Sequence, residues 1–431
     1  AGDTGRSILA YLNHNHAQVL RVLDTRINPP QLGAVPVIGG ELKSLNLVDA
    51  DVIVISPGVS IYEPVIQEAI RQGKKIVGDI ELFAQAIAHW SSQVVAITGS
   101  NGKTTVTSLC GFIANECGKR VLVAGNIGTP VLDAWLAIEQ TRDYPEIIVL
   151  ELSSFQLETT HSLQIAAATV LNISEDHLDR YRDLLEYVYV KANIFNNAKV
   201  QVLNQDDPLV TSMIRHDLEQ VFFAHNNAEY SLITEDGATY LGYRGNKLLN
   251  TNQLQLVGRH NYMNVLATLG LLAAVGINHS EALEAACLFA GLEHRMQKVI
   301  EHNGILYIED SKGTNVGAVI AGVNGIDRPV HLILGGDGKG QDFTPLRQLV
   351  LDKCHSVAVI GQDADLILRT LAGITNVQKL PSLEEAVRTC IANAKTGDAV
   401  ILSPACASWD MFDNYKHRAQ VFIDTVHEYI K

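Results

Sequence analysis

The sequence predicts an α/β protein with largely parallel sheets, divided into three domains. Short apolar runs that read as strands alternate with helical stretches along nearly all of the 431 residues. Repeated strand–loop–helix units of this kind build parallel sheets. A chain of this length corresponds to about three domains. Its composition, 47% hydrophobic and 19% charged residues, is typical of a soluble globular protein.

The N-terminal region begins like a dinucleotide-binding unit. The stretch "AGDTGRS" opens a helix, and "VLDTR" (22–26) places Asp24 at a strand end, which is roughly the spacing of such a unit. Alone, this pattern favours a nicotinamide-dependent oxidoreductase, although only Gly2 and Gly5 remain of the GxGxxG fingerprint. A turn of this type is normally held by a strand on its N-terminal side. We therefore expect an apolar strand and an initiating Met before Ala1.

The most specific local motif is "TGSNGKTT" (98–105), which follows the apolar run "VVAI". A buried strand that breaks into Gly, Ser, Asn and Gly and reopens as a helix can turn backbone N–H groups toward phosphate. Lys103 adds a full charge, and the Thr104 hydroxyl is placed for Mg²⁺. The full phosphate-loop pattern has another Gly five residues before Gly102, where this chain has Ile97. The motif predicts nucleotide binding without separating a switch, a motor, a kinase and a ligase.

Two later segments carry candidate metal ligands. The buried strand of "EIIVLELSSFQLE" ends in Glu151, and a carboxylate at that place beside a phosphate loop can hold Mg²⁺. The segment "LNISEDHLDRY" (171–181) puts His177 near Asp176 and Asp179. These side chains could bind a metal or orient a nucleophile, although a lone His near acids is more often structural.

The segment from 224 to 256 has a different pattern from the rest. Polar and apolar positions alternate, and the pairs Asp236-Gly237 and Gly245-Asn246 interrupt them. Such pairs form the tight turns of β-hairpins. We predict antiparallel hairpins with these two pairs as turns.

Polar residues at the start of the next predicted helix and in the block "GLEHRMQ" (291–297) could contact a nucleotide. In "HNYMN", Asn261 and Asn264 share one face of a helix start. Their amides can read an adenine edge, or they can merely cap the helix. In "GLEHRMQ", Arg295 offers a guanidinium for phosphate or ribose oxygens.

Three loops in the final third each follow a predicted strand. Their sequences are "EDSKGTN", "GGDGKGQDF" and "SPACASWDMFDNY". Open α/β sheets bind ligands in such loops. Lys312, Thr314, Lys339 and Ser408 would together suit a small dicarboxylate, whereas each alone could be a solvated loop residue.

Charge and cysteine usage exclude several classes of partner. The net charge of −14 argues against a broad surface for nucleic acid or anionic membrane. The six cysteines form no CxxC motif and no zinc-type pairing with His, which is typical of reduced thiols in a cytosolic protein. The longest apolar helix candidate, 266–277, is too short to span a bilayer.

Taken together and in this order, the motifs resemble the Mur ligases of bacterial peptidoglycan synthesis. The resemblance runs from Gly2 to the C-terminal helix, and its most specific blocks are "GDIELF", "AITGSNGKTTVT", "GNIGTP", "LELSSFQLE", "EDHLDRY", "HNYMN", "DSKGTN", "GGDGKGQDF" and "SPACASWD". The "SSFQLE" form and the "SPACAS" loop are similar to those of the branch that adds D-glutamate.

The resemblance implies a specific domain plan. A Rossmann-like domain at 1–89 would bind the UDP end of the substrate, since in this family the first domain does not bind NAD. A central ATP-binding domain at 90–295 would have a P-loop ATPase-type parallel sheet with small antiparallel hairpins. A C-terminal Rossmann-like α/β domain at 296–431 would bind the amino acid.

The resemblance also implies roles for individual residues. The UDP-linked substrate would contact Asp3, Thr4, Asp24, Thr25, Arg26, Gly58 and, at its muramic portion, Asn126. ATP would contact Gly99, Ser100, Asn101, Gly102, Lys103, Thr104, Thr105, Asn261, Asn264, Arg295 and Asp310. D-Glutamate would be surrounded by Lys312, Thr314, Lys339, Ser408 and Tyr415. Catalysis and two Mg²⁺ ions would depend on Lys103, Thr104, Glu151, His177 and Lys191.

The implied activity is ATP-dependent addition of D-glutamate to UDP-N-acetylmuramoyl-L-alanine through an acyl phosphate. Lys191, which carries no signal by itself, aligns with the carbamylated lysine of the family, whose oxygens help to hold the second Mg²⁺. The protein would act in the cytoplasm as a monomer, with no nucleic-acid or membrane partner. The alternatives are another amide ligase of the superfamily (a different Mur ligase or a folylpolyglutamate synthase type), the oxidoreductase, and a nucleotide-binding regulator.

Overall fold

The computed structural model describes residues 2–174 and 180–430. Backbone contacts divide the chain into two compact units. The first consists of Ala1–Ser231, Gly242–Asn246 and Val265–Ala285, and the second of Leu232–Leu241, Lys247–Asn264 and Ala286–Lys431. The α/β fold with mainly parallel sheets is confirmed.

The N-terminal region contains two parallel pairs of short strands. The pairs are β1 (Val22–Asp24) with β2 (Val37–Gly39), and β3 (Val52–Val54) with β4 (Lys75–Val77). The described α-helices of this region are α1 (Asp3–His14), α2 (Pro64–Arg71) and α3 (Asp79–Ala86). A small apolar cluster that includes Ile53, Ile55 and Ile66 packs between β3 and α2.

The central sheet has nine strands in the order β13-β12-β11-β10-β9-β8-β5-β7-β6. Its strands are β5 (Gln93–Thr98), β6 (Val121–Gly125), β7 (Ile147–Glu151), β8 (Ile165–Val170), β9 (Ala198–Asn204), β10 (Glu219–Ala224), β11 (Tyr230–Glu235), β12 (Ala238–Tyr243) and β13 (Asn246–Asn250). Strands β5 and β7 are apolar throughout most of their length and almost wholly buried, as expected for parallel strands covered on both faces. The two strands pair in parallel, which places their C-terminal ends side by side.

The predicted hairpins are present, and one of their turns differs from the prediction. Strands β11, β12 and β13 are joined by two-residue connections, which only antiparallel neighbours allow. Asp236 and Gly237 form the first turn, with φ of 49° and 76°. The second turn is Arg244-Gly245, with φ of 49° and 79°, so the predicted pair Gly245-Asn246 is wrong by one residue. Arg244 adopts the left-handed conformation there although its type does not favour it, and Asn246 already begins β13.

The C-terminal sheet has six strands in the order β14-β15-β19-β16-β17-β18. They are β14 (Gln297–His302), β15 (Ile305–Glu309), β16 (Val330–Gly335), β17 (Cys354–Ile360), β18 (Val377–Lys379) and β19 (Ala399–Leu402). Only β14 pairs in the antiparallel sense among the described strands of this sheet. Apolar clusters cover both faces of the sheet.

The remaining described α-helices connect these strands. They are α4 (Lys103–Glu116), α5 (Val131–Thr141), α6 (Ser154–Leu157), α7 (Leu184–Ala192), α8 (Pro208–Thr211), α9 (Arg259–Ala274), α10 (His279–Leu288), α11 (Val316–Asn324), α12 (Leu346–Lys353), α13 (Ala364–Thr370), α14 (Leu383–Asn393) and α15 (Tyr415–Tyr429). In the ranges 2–174 and 180–430, none of the helices combines the length and the hydropathy that a bilayer span requires.

Candidate active site

A cavity of about 1150 Å³ lies in the first unit, beside the N-terminal strands. Its wall is formed by the start of α1, the end of β1 and the loops that follow β2, β3 and β6. All seven residues that the resemblance assigned to the UDP-linked substrate line this cavity: Asp3, Thr4, Asp24, Thr25, Arg26, Gly58 and Asn126. The structure therefore brings together residues that are up to 123 positions apart in the chain.

Several lining residues were not assigned from the sequence. They are Glu41, Leu42, Ser44, Asp79 and Gln156, among others. Asp79 and Gln156 belong to the blocks "GDIELF" and "SSFQLE", which could have indicated them. The other three follow β2 in a stretch without any motif.

At the cavity wall, Asp24 and Arg26 form a bidentate ion pair. The Arg26 Nε and Nη2 atoms donate to the two Asp24 carboxylate oxygens at 2.9 and 2.6 Å. These bonds hold the pKa of Asp24 far below its ordinary value, so its carboxylate stays ionised. The Arg26 side chain is 53% exposed, which leaves its guanidinium accessible to an anionic ligand.

The phosphate-loop motif adopts the predicted strand–loop–helix geometry. Strand β5 ends at Thr98, and α4 begins at Lys103. Gly102 caps the helix with φ of 85°, a conformation that Gly adopts without strain. Gly99 has φ of 150°, and a Cβ there would lie 3.1 Å from the Leu171 Cβ. The half-buried residues of the first helical turn include Thr104 and Thr105.

The loop is fixed by the backbone that follows β8. Ser100 N donates to the Asn172 carbonyl at 2.9 Å, and Asn101 N donates to Asn172 Oδ1 at 2.8 Å. Ser174 N donates to Ser100 Oγ at 2.9 Å. The sequence does not indicate this support, because Asn172 and Ser174 carry no signal apart from their position between a strand and the "EDHLDRY" block.

Two lysines converge on one carbonyl oxygen of the loop. Lys103 Nζ donates to the carbonyls of Gly99 and Ser100 at 2.7 and 2.8 Å. Lys191, on α7, is 1% exposed, and its Nζ donates to Gly99 O at 3.1 Å and to Thr98 Oγ1 at 3.2 Å. The structure thus places Lys191 at the phosphate loop, although Lys191 lies 88 positions after Lys103 in the chain.

Glu151 ends β7 beside the phosphate loop and is 2% exposed. It is the cross-strand partner of Ile97 on β5. Its Oε1 accepts from Asn126 Nδ2 at 3.0 Å, whereas its Oε2 is buried without a hydrogen-bond partner among the described residues. An unpaired carboxylate oxygen is the kind of ligand that Mg²⁺ prefers, so this residue fits a magnesium site. His177, Asp176 and Asp179 lie outside the described residues.

Asn261 and Asn264, two of the residues predicted to contact the nucleotide, lie in the second unit at the start of α9. Asn264 Nδ2 donates to Asn261 Oδ1 at 3.2 Å, and Asn261 Nδ2 donates to the Val257 carbonyl at 2.7 Å. Both side chains are buried and lie on one face of the helix start. Each amide therefore has a local structural bond, which fixes its orientation.

Asp310 follows β15 and is almost completely buried. Its Oδ2 accepts from Ser403 Oγ at 2.6 Å, and its Oδ1 accepts from Met296 N at 3.1 Å. Burial raises its pKa to about 7, and the nearby Arg295 opposes that rise. The neutral form of Asp310 is therefore favoured in the folded protein below about pH 7.

We expect this shift to make stability depend on pH. Since the folded pKa of about 7 exceeds the ordinary 3.8, the protonated folded state is stabilised at low pH, and this stabilisation is lost as pH rises from 3.8 through 7. The melting temperature of the wild type should fall relative to that of Asp310→Asn between pH 5 and 8. Thermal melting of both proteins at these two pH values checks this, and an equal difference at both would contradict it.

The residues assigned to D-glutamate follow three neighbouring strands of the C-terminal sheet. Lys312 and Thr314 follow β15, Ser408 follows β19, and Lys339 follows β16, and these strands are adjacent in the order β15-β19-β16. Because they are parallel, their C-terminal ends meet at one edge, where such sheets bind ligands. Tyr415 begins α15, and Lys312 Nζ lies 5.5 Å from its ring centroid.

A buried arginine that the sequence did not indicate supports this edge. Arg418 on α15 is fully buried and donates to Ser311 Oγ, Ser311 O and Cys406 O at 2.8, 2.8 and 3.1 Å. Burial lowers its pKa to about 10. It joins the loops after β15 and β19. In the sequence it is an ordinary charged residue of an amphipathic helix, which gives no hint of burial.

Another polar cluster lies at the amino ends of the same sheet. His331, His355 and Asp398 place possible metal-ligand atoms within 4.8 Å of one another. However, His331 Nδ1 lies 2.7 Å from Ser356 Oγ, and its Nε2 lies 3.0 Å from Asp398 Oδ2. Both ring nitrogens already have partners, so the cluster is explained as a hydrogen-bond network that joins β16, β17 and β19.

Comparison with known families gives three consecutive matches. The Mur ligase MurD-like N-terminal domain matches residues 1–78, the Mur ligase middle domain matches 97–272, and the Mur ligase glutamate ligase domain matches 294–406. The predicted boundaries at 89/90 and 295/296 remain predictions.

Curated relatives match along almost the entire chain. A protein of Chromobacterium violaceum named UDP-N-acetylmuramoylalanine–D-glutamate ligase is 47% identical over 99% of this chain and 95% of its own length. A protein of the same name from Coxiella burnetii is 42% identical over 99% and 97%.

Solved structures with low sequence identity share the fold. The MurF ligase of Thermotoga maritima, solved in complex with ADP, has a TM-score of 0.60 at 16% identity and covers 95% of this chain and 98% of its own. A pseudomurein peptide ligase type C from Methanothermus fervidus has a TM-score of 0.59 at 19% identity, covering 100% and 99%. The three domain matches and the full-length relatives establish that the chain belongs to the Mur ligase family.

Proposed function

We propose that the protein is an ATP-dependent amide ligase of peptidoglycan synthesis that joins D-glutamate to UDP-N-acetylmuramoyl-L-alanine. The observation that carries this proposal is the place of Asn126. It lines the cavity assigned to the UDP-linked substrate, and it donates to Glu151 beside the phosphate loop. A substrate held in the cavity can therefore reach the nucleotide phosphates.

The proposed reaction has two steps. The free carboxylate of the alanyl substrate attacks the γ-phosphate of ATP and becomes an acyl phosphate. The amine of D-glutamate then attacks the acyl carbon, and phosphate leaves. Lys103 and the backbone N–H groups at the start of α4 stabilise the negative charge that develops on the phosphoryl oxygens.

Glu151, Thr104 and His177 are the proposed side chains for magnesium, together with Lys191 after carbamylation. The ion would neutralise phosphate charge when bound.

Support for carbamylation of Lys191 comes from the two lysine amines that share the Gly99 carbonyl, since like charges at such short range repel. Addition of CO₂ to the neutral Lys191 amine forms an anionic carbamate and releases one proton. The product would attract Lys103 instead of repelling it.

The assay for this function measures phosphate release from ATP. We expect release that depends on both UDP-N-acetylmuramoyl-L-alanine and D-glutamate, with one phosphate for each amide formed. Omission of either substrate serves as the control. Release with a UDP-muramoyl substrate of a different length, or reduction of a nicotinamide cofactor, would support one of the alternative functions instead.

The proposed D-glutamate residues predict the choice of amino acid. Lys312 and Lys339 provide two cations, and Thr314, Ser408 and Tyr415 provide hydroxyl donors, whereas the set contains no carboxylate for a second amine. We expect ligation of D-glutamate and rejection of lysine and diaminopimelate, measured by product mass with each amino acid in turn. Efficient ligation of a diamino acid would place the protein in another branch of the family.

The substrates proposed here are small molecules, and the net charge of −14 disfavours nucleic acid and anionic lipid as partners. A cytoplasmic location and a monomeric state complete the proposal.

A further inference from the structure

Arg180 connects two parts of the first unit that are far apart in the sequence. Its Nη1 donates to the Pro57 carbonyl at 2.9 Å, and its Nη2 donates to the Val59 carbonyl at 3.3 Å. The same guanidinium binds Glu158, with Nε to Oε1 at 3.2 Å and Nη2 to Oε2 at 2.6 Å. One side chain thus holds the loop after β3 against the end of α6.

This connection is buried and depends on the shape of arginine. The Arg180 and Glu158 side chains are 9% and 0% exposed, and the Arg180 guanidinium lies 3.9 Å from the centroid of the Phe155 ring. Tyr181 also donates to Glu158 Oε1, at 2.8 Å. The planar guanidinium of arginine has five N–H donors and can bind two carbonyls and a carboxylate at the same time. The compact ammonium group of lysine cannot make this set of hydrogen bonds.

The two parts that Arg180 joins carry different halves of the proposed site. Pro57 and Val59 flank Gly58 in the cavity wall that is assigned to the UDP-linked substrate. Glu158 lies seven residues after Glu151, in one continuous stretch that also contributes Gln156 to the cavity. The position of the cavity loop relative to Glu151 therefore depends on the Arg180 bonds.

Further contacts hold the same region together. Glu81 on α3 accepts from His161 N at 2.7 Å and from Ser162 N at 2.9 Å. A Cβ at Gly78 would lie 2.4 Å from Thr159 Oγ1, which shows how closely the two backbones approach. These contacts fix α3, whereas among the described residues the carbonyls of the cavity loop at Pro57 and Val59 are held by Arg180.

We propose that Arg180 is a positioning residue, which aligns the carboxylate of a UDP-sugar acid bound in the cavity with the terminal phosphate of ATP. The inference rests on the proposed function and adds a residue that sets the distance between its two substrates. Attack on phosphorus requires the reacting atoms to lie about 3–3.5 Å apart, and a shift of about 1 Å can cost about 10²-fold in rate. Loss of the two carbonyl bonds should therefore reduce turnover more than it weakens the binding of either substrate alone.

The test compares Arg180→Lys with Arg215→Lys. Arg215 also binds a carboxylate, Asp217, and a backbone carbonyl, that of Phe195, but it is not among the described residues that line the cavity. We expect Arg180→Lys to lower kcat by about 10-fold or more because of misalignment, with an unchanged KM for ATP and a smaller change in substrate Kd. Arg215→Lys should behave like the wild type. Calorimetry of each substrate and steady-state kinetics on the intact chain provide these values.

A double variant distinguishes loss of alignment from loss of folding. Arg180→Met combined with Glu158→Gln removes both buried charges and keeps a flexible apolar side chain over Phe155. It should melt near the wild type and show the same fall in kcat. If both Arg180 variants retain wild-type kcat and KM values, or if their lower rate is explained entirely by a smaller folded fraction, the proposal is wrong. Failure of the proposed function would instead appear as absent ligation in the wild type.

Discussion

Lys103→Ala should abolish ligation while the protein remains folded. The Lys103 amine donates to two carbonyls of its own loop and is the full positive charge that the motif brings to the transferred phosphoryl group. Loss of one preorganised group at such a position costs on the order of 10²–10³ in rate or more. Steady-state phosphate release with all three substrates, together with thermal melting, measures both effects.

A matched control is available just beyond the same helix. Lys119 follows α4 and pairs with Glu146 at the surface, with 41% of its side chain exposed. Lys119→Ala should therefore keep normal turnover. A Lys103→Ala protein with an unchanged melting temperature and near-normal turnover would remove the phosphate loop from the mechanism.

Lys191→Ala is expected to have an effect of similar size for a different reason. The amine is buried beside Thr98 and Gly99, and its carbamate would supply oxygen ligands next to the phosphates. Even loss of an outer-shell partner of a metal costs about 10–100-fold, so turnover should fall by at least that factor. A short-chain carboxylate such as acetate should restore part of the activity, because it can occupy the space of the missing carbamate.

The rescue separates this explanation from a structural one. A variant that is inactive because its core is damaged should not respond to acetate, and Lys119→Ala should not respond either. Full activity of Lys191→Ala, or of the wild type kept free of CO₂, would contradict the role of the carbamate.

Some parts of the structure follow directly from local sequence, and others depend on tertiary contacts. The phosphate loop is predictable because Gly99 and Gly102 occupy the backbone conformations that glycine favours, between a buried strand and a helix. The second hairpin turn was displaced by one residue, since Arg244 takes a left-handed conformation that its residue type does not indicate. Register of this kind is set by the hydrophobic pattern of the strands together with the turn geometry, and residue type alone does not reveal either.

The candidate site likewise combines residues that can be predicted from the sequence with contacts that cannot. The residues assigned to the UDP-linked substrate line one cavity, and Lys312, Thr314, Lys339 and Ser408 follow strands that end at one sheet edge. The sequence does not indicate the bonds that hold them. Arg180, Arg418 and the pairing of Asn126 with Glu151 bring together residues from distant parts of the chain. Arg180 belongs to the block "EDHLDRY", and Arg418 to an amphipathic helix, but neither pattern indicates that the arginine is buried or which distant groups it binds.

The most direct test of the central claim follows the oxygen atoms of the substrate. UDP-N-acetylmuramoyl-L-alanine labelled with ¹⁸O in both oxygens of its free carboxylate is converted with ATP and D-glutamate, and the released phosphate is analysed by mass spectrometry. The account predicts one ¹⁸O in each phosphate, because the carboxylate oxygen that attacks phosphorus leaves with it, and one ¹⁸O in the new amide. Unlabelled phosphate from a reaction that forms the amide would contradict the acyl-phosphate route.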